Sequence, residues 1–144
     1  MATKNTKHAK ALGHGGTKHT KVGVERKKFS VTGRRVVVVG AARSGIAAAE
    51  LLARRGARVT LSERRPSFEG AERLREVGVI LELGGHRDAT FSDADLIVTS
   101  PGVSLEQQAF EAVRSRGIEI IGELELAWRW LRGPVIAITG TKGK

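Results

Sequence analysis

The residues best suited to chemistry stand at the far end of the chain, in Ile136-Ala-Ile-Thr-Gly-Thr-Lys-Gly-Lys144. An apolar strand feeding a glycine-rich loop lets backbone N–H groups cradle phosphates, and a lysine adds positive charge. Gly140, Thr141, Lys142, Gly143 and Lys144 are the candidate phosphate-binding residues. The spacing is not a full Walker A. The first glycine of G-x-x-x-x-G-K falls on Ile138, and the hydroxyl that holds magnesium would follow Lys144.

A second anion site is expected at Gly40-Ala41-Ala42-Arg43-Ser44-Gly45, directly after the run Arg35-Val-Val-Val-Val39. A glycine turn that opens a helix presents free N–H groups and the positive end of the helix dipole. Ala42 replaces the middle glycine of G-x-G-x-x-G, putting a methyl group where a dinucleotide pyrophosphate meets bare backbone, which weakens a nicotinamide-dinucleotide reading without excluding it. Further along stand Ser62-Glu63-Arg64-Arg65. An acidic residue about 20 positions beyond the glycine turn occupies the slot for a ribose or base contact. Glu63 fits it, in a loop expected to face solvent, whereas Arg64 on its own reads as a solvated surface charge. Ser100-Pro101-Gly102 adds a rigid turn whose glycine lets an N–H approach a ligand phosphate.

These groups require a scaffold that brings several strand ends to one crevice. From Val31 onward, short β-branched runs alternate with helical stretches, the pattern of a parallel βαβ sheet. Strands are expected at 35–39, 58–61, 79–83, 95–99, 118–121 and 134–139, and helices at 44–55, 71–77, 106–116 and 124–131. Ile46, Ala49, Leu52 and Ala53 mark one face of the first helix, and Gly56 stops it. The fold class is α/β: a Rossmann-like, mostly parallel sheet with helices on both faces, whose ligands sit at the carboxyl ends of the strands.

Composition narrows the function. The chain has 144 residues, enough for one domain with a hydrophobic core. It has no cysteine, which rules out disulfides, thiolate metal sites and a cysteine nucleophile. The run Val36–Val39 is far too short to cross a bilayer, so a cytoplasmic location is expected. The net charge of +10 sits mostly in residues 1–30, where Lys4, Lys7, Lys10, Lys18, Lys21, Arg26, Lys27 and Lys28 face only Glu25. That segment is net +7, leaving +3 for the remaining 114 residues. It has few large apolar residues and is expected to be a disordered basic tail. It also lacks the aromatic interleaving of single-strand nucleic-acid binders, and His8, His14 and His19 have no ligand spacing, so neither nucleic acid nor a metal is assigned.

Taken together, the glycine turn, the strand end Val59-Thr-Leu-Ser-Glu63, Asp95-Leu-Ile-Val-Thr-Ser-Pro-Gly102, Gly117-Ile-Glu-Ile-Ile-Gly-Glu-Leu-Glu-Leu126 and the terminal loop resemble the start of the Mur ligase family, in its D-glutamate-adding branch. The resemblance covers residues 31–144. It implies an ATP- and magnesium-dependent ligase of peptidoglycan synthesis, which activates the alanine carboxylate of UDP-N-acetylmuramoyl-L-alanine as an acyl phosphate for attack by D-glutamate. It further implies that Arg43 and Ser44 meet uridine and diphosphate, that Glu63 meets the uracil flanked by Arg64 and Arg65, and that Gly102 gives its N–H to the diphosphate. Thr141 to Lys144 would surround the ATP phosphates, with Lys142 standing where asparagine is common. The implied division is a tail at 1–30, a UDP-substrate domain at 31–133 and the opening strand and loop of an ATP domain at 134–144. No catalytic residue or metal ligand is expected within the chain, which by itself should lack ligase activity. The alternative is a nicotinamide-binding Rossmann domain of an oxidoreductase.

Overall fold

The computed structural model describes residues 29–100, 102–103, 113–133 and 135–136. Nearly all of the expected tail, most of the helix expected at 106–116, and the loop Gly140, Thr141, Lys142, Gly143 and Lys144 lie outside the described residues, as does most of the strand expected before that loop.

Among the described residues five strands form one wholly parallel sheet: β1 (Arg35–Val39), β2 (Arg58–Glu63), β3 (Ile80–Leu83), β4 (Leu96–Thr99) and β5 (Glu119–Gly122), in the order β3-β2-β1-β4-β5. The register pairs Val36 with Val59 on one side of β1 and with Leu96 on the other. The bounded helices among the described residues are α1 (Arg43–Arg54), α2 (Ala71–Glu76), α3 (Asp88–Ser92) and α4 (Glu123–Trp130).

β1 is central because its four valines are apolar on both faces of the pleat. Val36 and Val38 pack with Ala48, Ala49, Leu52, Leu74 and Leu126 beneath α1, α2 and α4. Val37 and Val39 pack with Phe91, Ile97 and Val113 on the opposite face. Helices therefore cover both faces. α1 buries Ala49 and Leu52 fully, with Ile46 and Ala53 packed at the edge of the same cluster. It ends in a Schellman motif, in which Gly56 N–H donates to Ala53 and Ala57 N–H to Leu52, with Gly56 at φ +80°. α2 ends the same way: Gly78 donates to Arg75 and Val79 to Leu74.

Three details depart from the sequence reading. β2 runs two residues further than its apolar pattern, taking in Ser62 and Glu63, both buried. α3 is an unforeseen short helix; Glu82 fastens its start by accepting from Arg87 N–H and from the Thr90 hydroxyl, and its Phe91 enters the second core. Phe29 belongs to the packed structure, with its ring 5.2 Å from that of Trp130 and its carbonyl accepting from Trp130 Nε1 at 3.3 Å. Among the described residues no helix is long and apolar enough to cross a membrane.

Candidate functional site

The sheet reverses its winding between β1 and β4, and the loops leaving these two strands meet over that point. Gly40, at φ +99°, turns the chain out of β1 and donates its N–H to the Ser62 carbonyl at 2.9 Å. A Cβ on Gly40 would lie 3.2 Å from Ser100 Oγ and 3.3 Å from Val103 Cγ2, so the loop after β4 rests directly on the turn. A Cβ on Gly45 would fall 2.1 Å from the Gly40 carbonyl oxygen and 3.0 Å from Ser100 Oγ. Only glycine lets α1 start this close to the end of β1. Ser100 is itself fixed: it is buried, its N–H donates to Val39 at 3.1 Å, and its hydroxyl donates to Glu123 at 2.5 Å.

At the start of α1 the N-cap is Ala42, which offers no side-chain acceptor, and the first turn contains no acidic residue. The opening N–H groups of a helix have no intrahelical acceptor, so this end is suited to an anion. Arg43 and Ser44 are both exposed there, and Gly102 is exposed with open space around it. The structure thus brings the glycine turn and the Ser100–Gly102 loop together.

Glu63 differs from the expectation of a solvent-facing acceptor. Only 8% of the residue is exposed, and its carboxylate is filled from within the chain. Oε2 accepts from Ala41 N–H at 2.6 Å and from Arg65 Nη2 at 3.1 Å. Oε1 accepts from Arg65 N–H at 3.0 Å and from Arg65 Nε at 3.1 Å. A carboxylate has about four acceptor positions, and all four are in use. The Arg65 side chain, followed by the N–H groups of Arg65 and Ala41, outweighs burial and holds the Glu63 pKa at about 2. Arg65 remains about half exposed although its guanidinium also bonds the Ala41 carbonyl at 3.0 Å. Arg64 is exposed.

A second polar cluster supports the end of β2. Ser62 Oγ lies 2.9 Å from Glu82 Oε1 and 2.8 Å from His86 Nδ1. An ionised carboxylate only accepts, so the serine proton goes to Glu82 and His86 donates from Nδ1. Burial, aided by the charge of Arg64, lowers the His86 pKa. Burial pushes Glu82 upward, but its bonds from Thr90, Arg87 N–H and Ser62 prevail and the net shift is downward. Sequence reasoning missed this cluster, because none of its members has a motif spacing. The Ser62–Glu82 cross-strand register alone could have revealed it.

The sequence profile of the Mur ligase MurD-like N-terminal domain matches residues 34–122, which spans the whole sheet. The chain belongs to that family. Over 115 residues this MurD-like chain is 51% identical to a UDP-N-acetylmuramoylalanine–D-glutamate ligase of Anaeromyxobacter dehalogenans (strain 2CP-C), covering 78% of the chain and 25% of that protein. It therefore spans about a quarter of the length of this curated relative. Among solved structures, a pseudomurein peptide ligase type C from Methanothermus fervidus is similar with a TM-score of 0.55 and 24% identity, over 65% of this chain and 20% of that one. SirC, a precorrin-2 dehydrogenase, is similar with a TM-score of 0.52 and 16% identity, over 67% of this chain and 48% of that one. Fold similarity extends to a ligase and a dehydrogenase alike, so shape does not separate the two readings; sequence kinship does.

Proposed function

We propose that the described domain binds the UDP end of UDP-N-acetylmuramoyl-L-alanine for an ATP-dependent ligase that adds D-glutamate in peptidoglycan synthesis in the cytoplasm. One observation carries the reading: the uncapped start of α1, with Arg43 and Ser44 exposed, faces the switch point of a sheet whose sequence belongs to the MurD-like family. In this reading the diphosphate meets the first-turn N–H groups of α1 and the Ser44 hydroxyl, with Arg43 supplying charge and Gly102 an N–H from the facing loop. Arg64 flanks the base, and Glu63 and Arg65 close the base side of the site. A base donor reaches Glu63 only by displacing part of the Arg65 guanidinium, since every acceptor position is taken. The proposed division gives residues 31–133 to this task and 134–144 to the opening of an ATP-binding domain. ATP, with magnesium as its counter-ion, would engage Gly140, Thr141, Lys142, Gly143 and Lys144, which lie outside the described residues, and D-glutamate would join elsewhere in the longer protein.

The Ala42 methyl group and the 51% identity both favour UDP over a nicotinamide dinucleotide. Titration of the chain with UDP, NAD and a short oligonucleotide, followed by amide NMR, tests the proposal. UDP should shift the resonances of residues 40–45 and 102–103, and NAD and the oligonucleotide should leave them in place. Shifts with NAD and none with UDP would reverse the assignment.

A further inference from the structure

Two successive peptide groups, on either side of the Ala41 Cα, are gripped. The Ala41 N–H donates to Glu63 Oε2 at 2.6 Å, and the Ala41 carbonyl accepts from Arg65 Nη2 at 3.0 Å. The same guanidinium ties the two grips together through Glu63, with Nε on Oε1 and Nη2 on Oε2, both at 3.1 Å. Both hydrogens of Nη2 are thus in use, one on the carboxylate and one on the turn. Ala41 is buried and immediately precedes the N-cap of α1, so fixing the Ala41–Ala42 peptide plane through its carbonyl also fixes how α1 starts and where its first-turn N–H groups point. A planar fork can span a carboxylate and a carbonyl at once, whereas an ammonium is a point donor.

We propose that Arg65 is a positioning residue for the diphosphate end of the site: it holds the glycine turn through the Ala41 carbonyl and so sets the anion-binding start of α1. The inference rests on the UDP-binding reading and deepens it, moving the effect of Arg65 from the base to the phosphates. The side chain is about half exposed and belongs to neither hydrophobic cluster; it meets the first one only through the Ala41 carbonyl, so its removal takes no apolar side chain out of the core.

The test compares the chain with its Arg65→Ala and Arg65→Lys variants, using inorganic pyrophosphate, uridine and UDP as separate probes and amide exchange at Ala41 and Ala42 without ligand. Arg65→Ala should weaken pyrophosphate and UDP about tenfold, the equivalent of one charge-assisted hydrogen bond, and should not weaken uridine, which no longer has to displace the guanidinium from Glu63. Exchange at Ala41 and Ala42 should accelerate in the same variant. Arg65→Lys keeps the charge but loses the fork, and it should behave like Arg65→Ala. Full rescue by lysine would show that charge, not positioning, is at work, and would overturn the proposal. So would a loss confined to uridine, which would make Arg65 a base contact, or unchanged exchange at Ala41. A parent chain that binds neither UDP nor pyrophosphate would remove the functional reading and the ligand half of this proposal, and the exchange rate at Ala41 would then decide the clamp alone.

Discussion

Glu63 concentrates more of the site's electrostatics than any other described residue, and its ionisation is coupled to folding. Its carboxyl titrates near 2 in the folded chain, against an ordinary 4.5. A carboxyl with a depressed folded pKa stabilises the fold above its unfolded pKa, and that contribution is lost as pH falls through the folded value. The window for Glu63 is therefore pH 5 down to 2. The full shift would correspond to about 3 kcal/mol, and screening of the half-exposed Arg65 reduces the expected contribution to about 2 kcal/mol. His86 opens the acid limb earlier: its pKa is lowered by burial, so stability begins to fall as pH drops below the ordinary histidine value of 6.5. Thermal melts from pH 8 to pH 2 should show both steps. Glu63→Gln should cost about 2 kcal/mol at pH 7, because an amide meets Arg65 without charge, and should flatten the slope between pH 5 and 2. An unaltered slope would mean that Glu63 is not ionised in the way its four partners require.

At the scale of elements, the glycine turn, the first turn of α1 and the loop after β4 behave as one packed unit. Gly45 is its tightest point, since a methyl group there would lie 2.1 Å from the Gly40 carbonyl, a backbone atom that cannot swing away. Gly45→Ala should therefore cost about 3 kcal/mol or more through a forced shift of α1, and should abolish UDP-induced shifts at residues 40–45. Native-like stability in this variant would show that α1 can slide. Ser100→Ala removes a hydroxyl that links this unit to Glu123 in α4, and chemical denaturation should register a loss of about 1–2 kcal/mol. The same elements show what sequence can disclose. β1, α1 and the helix-ending glycines follow local patterns, and the expected bounds differ from the observed ones by a residue or so. β2 was read short because hydrophobicity ends at Leu61, while Ser62 and Glu63 are buried through partners 20 or more residues away. α3 has no apolar period over its five residues and depends on Glu82 for its start. Position let Glu63 be singled out, but its saturation by Arg65 and Ala41 is a property of the folded turn, and no spacing rule encodes it.

Across the whole molecule, stability should be graded from the centre of the sheet outward. β1 and β4 are flanked on both sides and buried along nearly their full length, whereas β3 is an edge strand with Ile80 65% exposed. Amides in edge elements exchange through local openings that cost less than global unfolding. Native-state exchange should therefore find Val37, Val38, Ile97 and Val98 slowest, with the amides of β3 released at least about tenfold faster, a gap of roughly 1.4 kcal/mol. Equal protection in β3 and β1 would contradict the sheet order. The chain entering the domain is anchored separately, by a contact that closes a long loop. Phe29 meets Trp130 ring against ring, the indole N–H bonds the Phe29 carbonyl, Arg55 lies 4.2 Å above the indole, and Arg129 lies 4.9 Å from the Phe29 ring. The indole therefore holds residue 29 from one side and stacks beneath Arg55, the C-cap of α1, on the other. Trp130→Ala should cost about 2 kcal/mol, the sum of a half-buried ring contact, a cation–π contact and one hydrogen bond. It should also speed exchange at residues 29–33 far more than at Val37 or Ile97. Uniform acceleration across the sheet would show instead that Trp130 belongs to the global core.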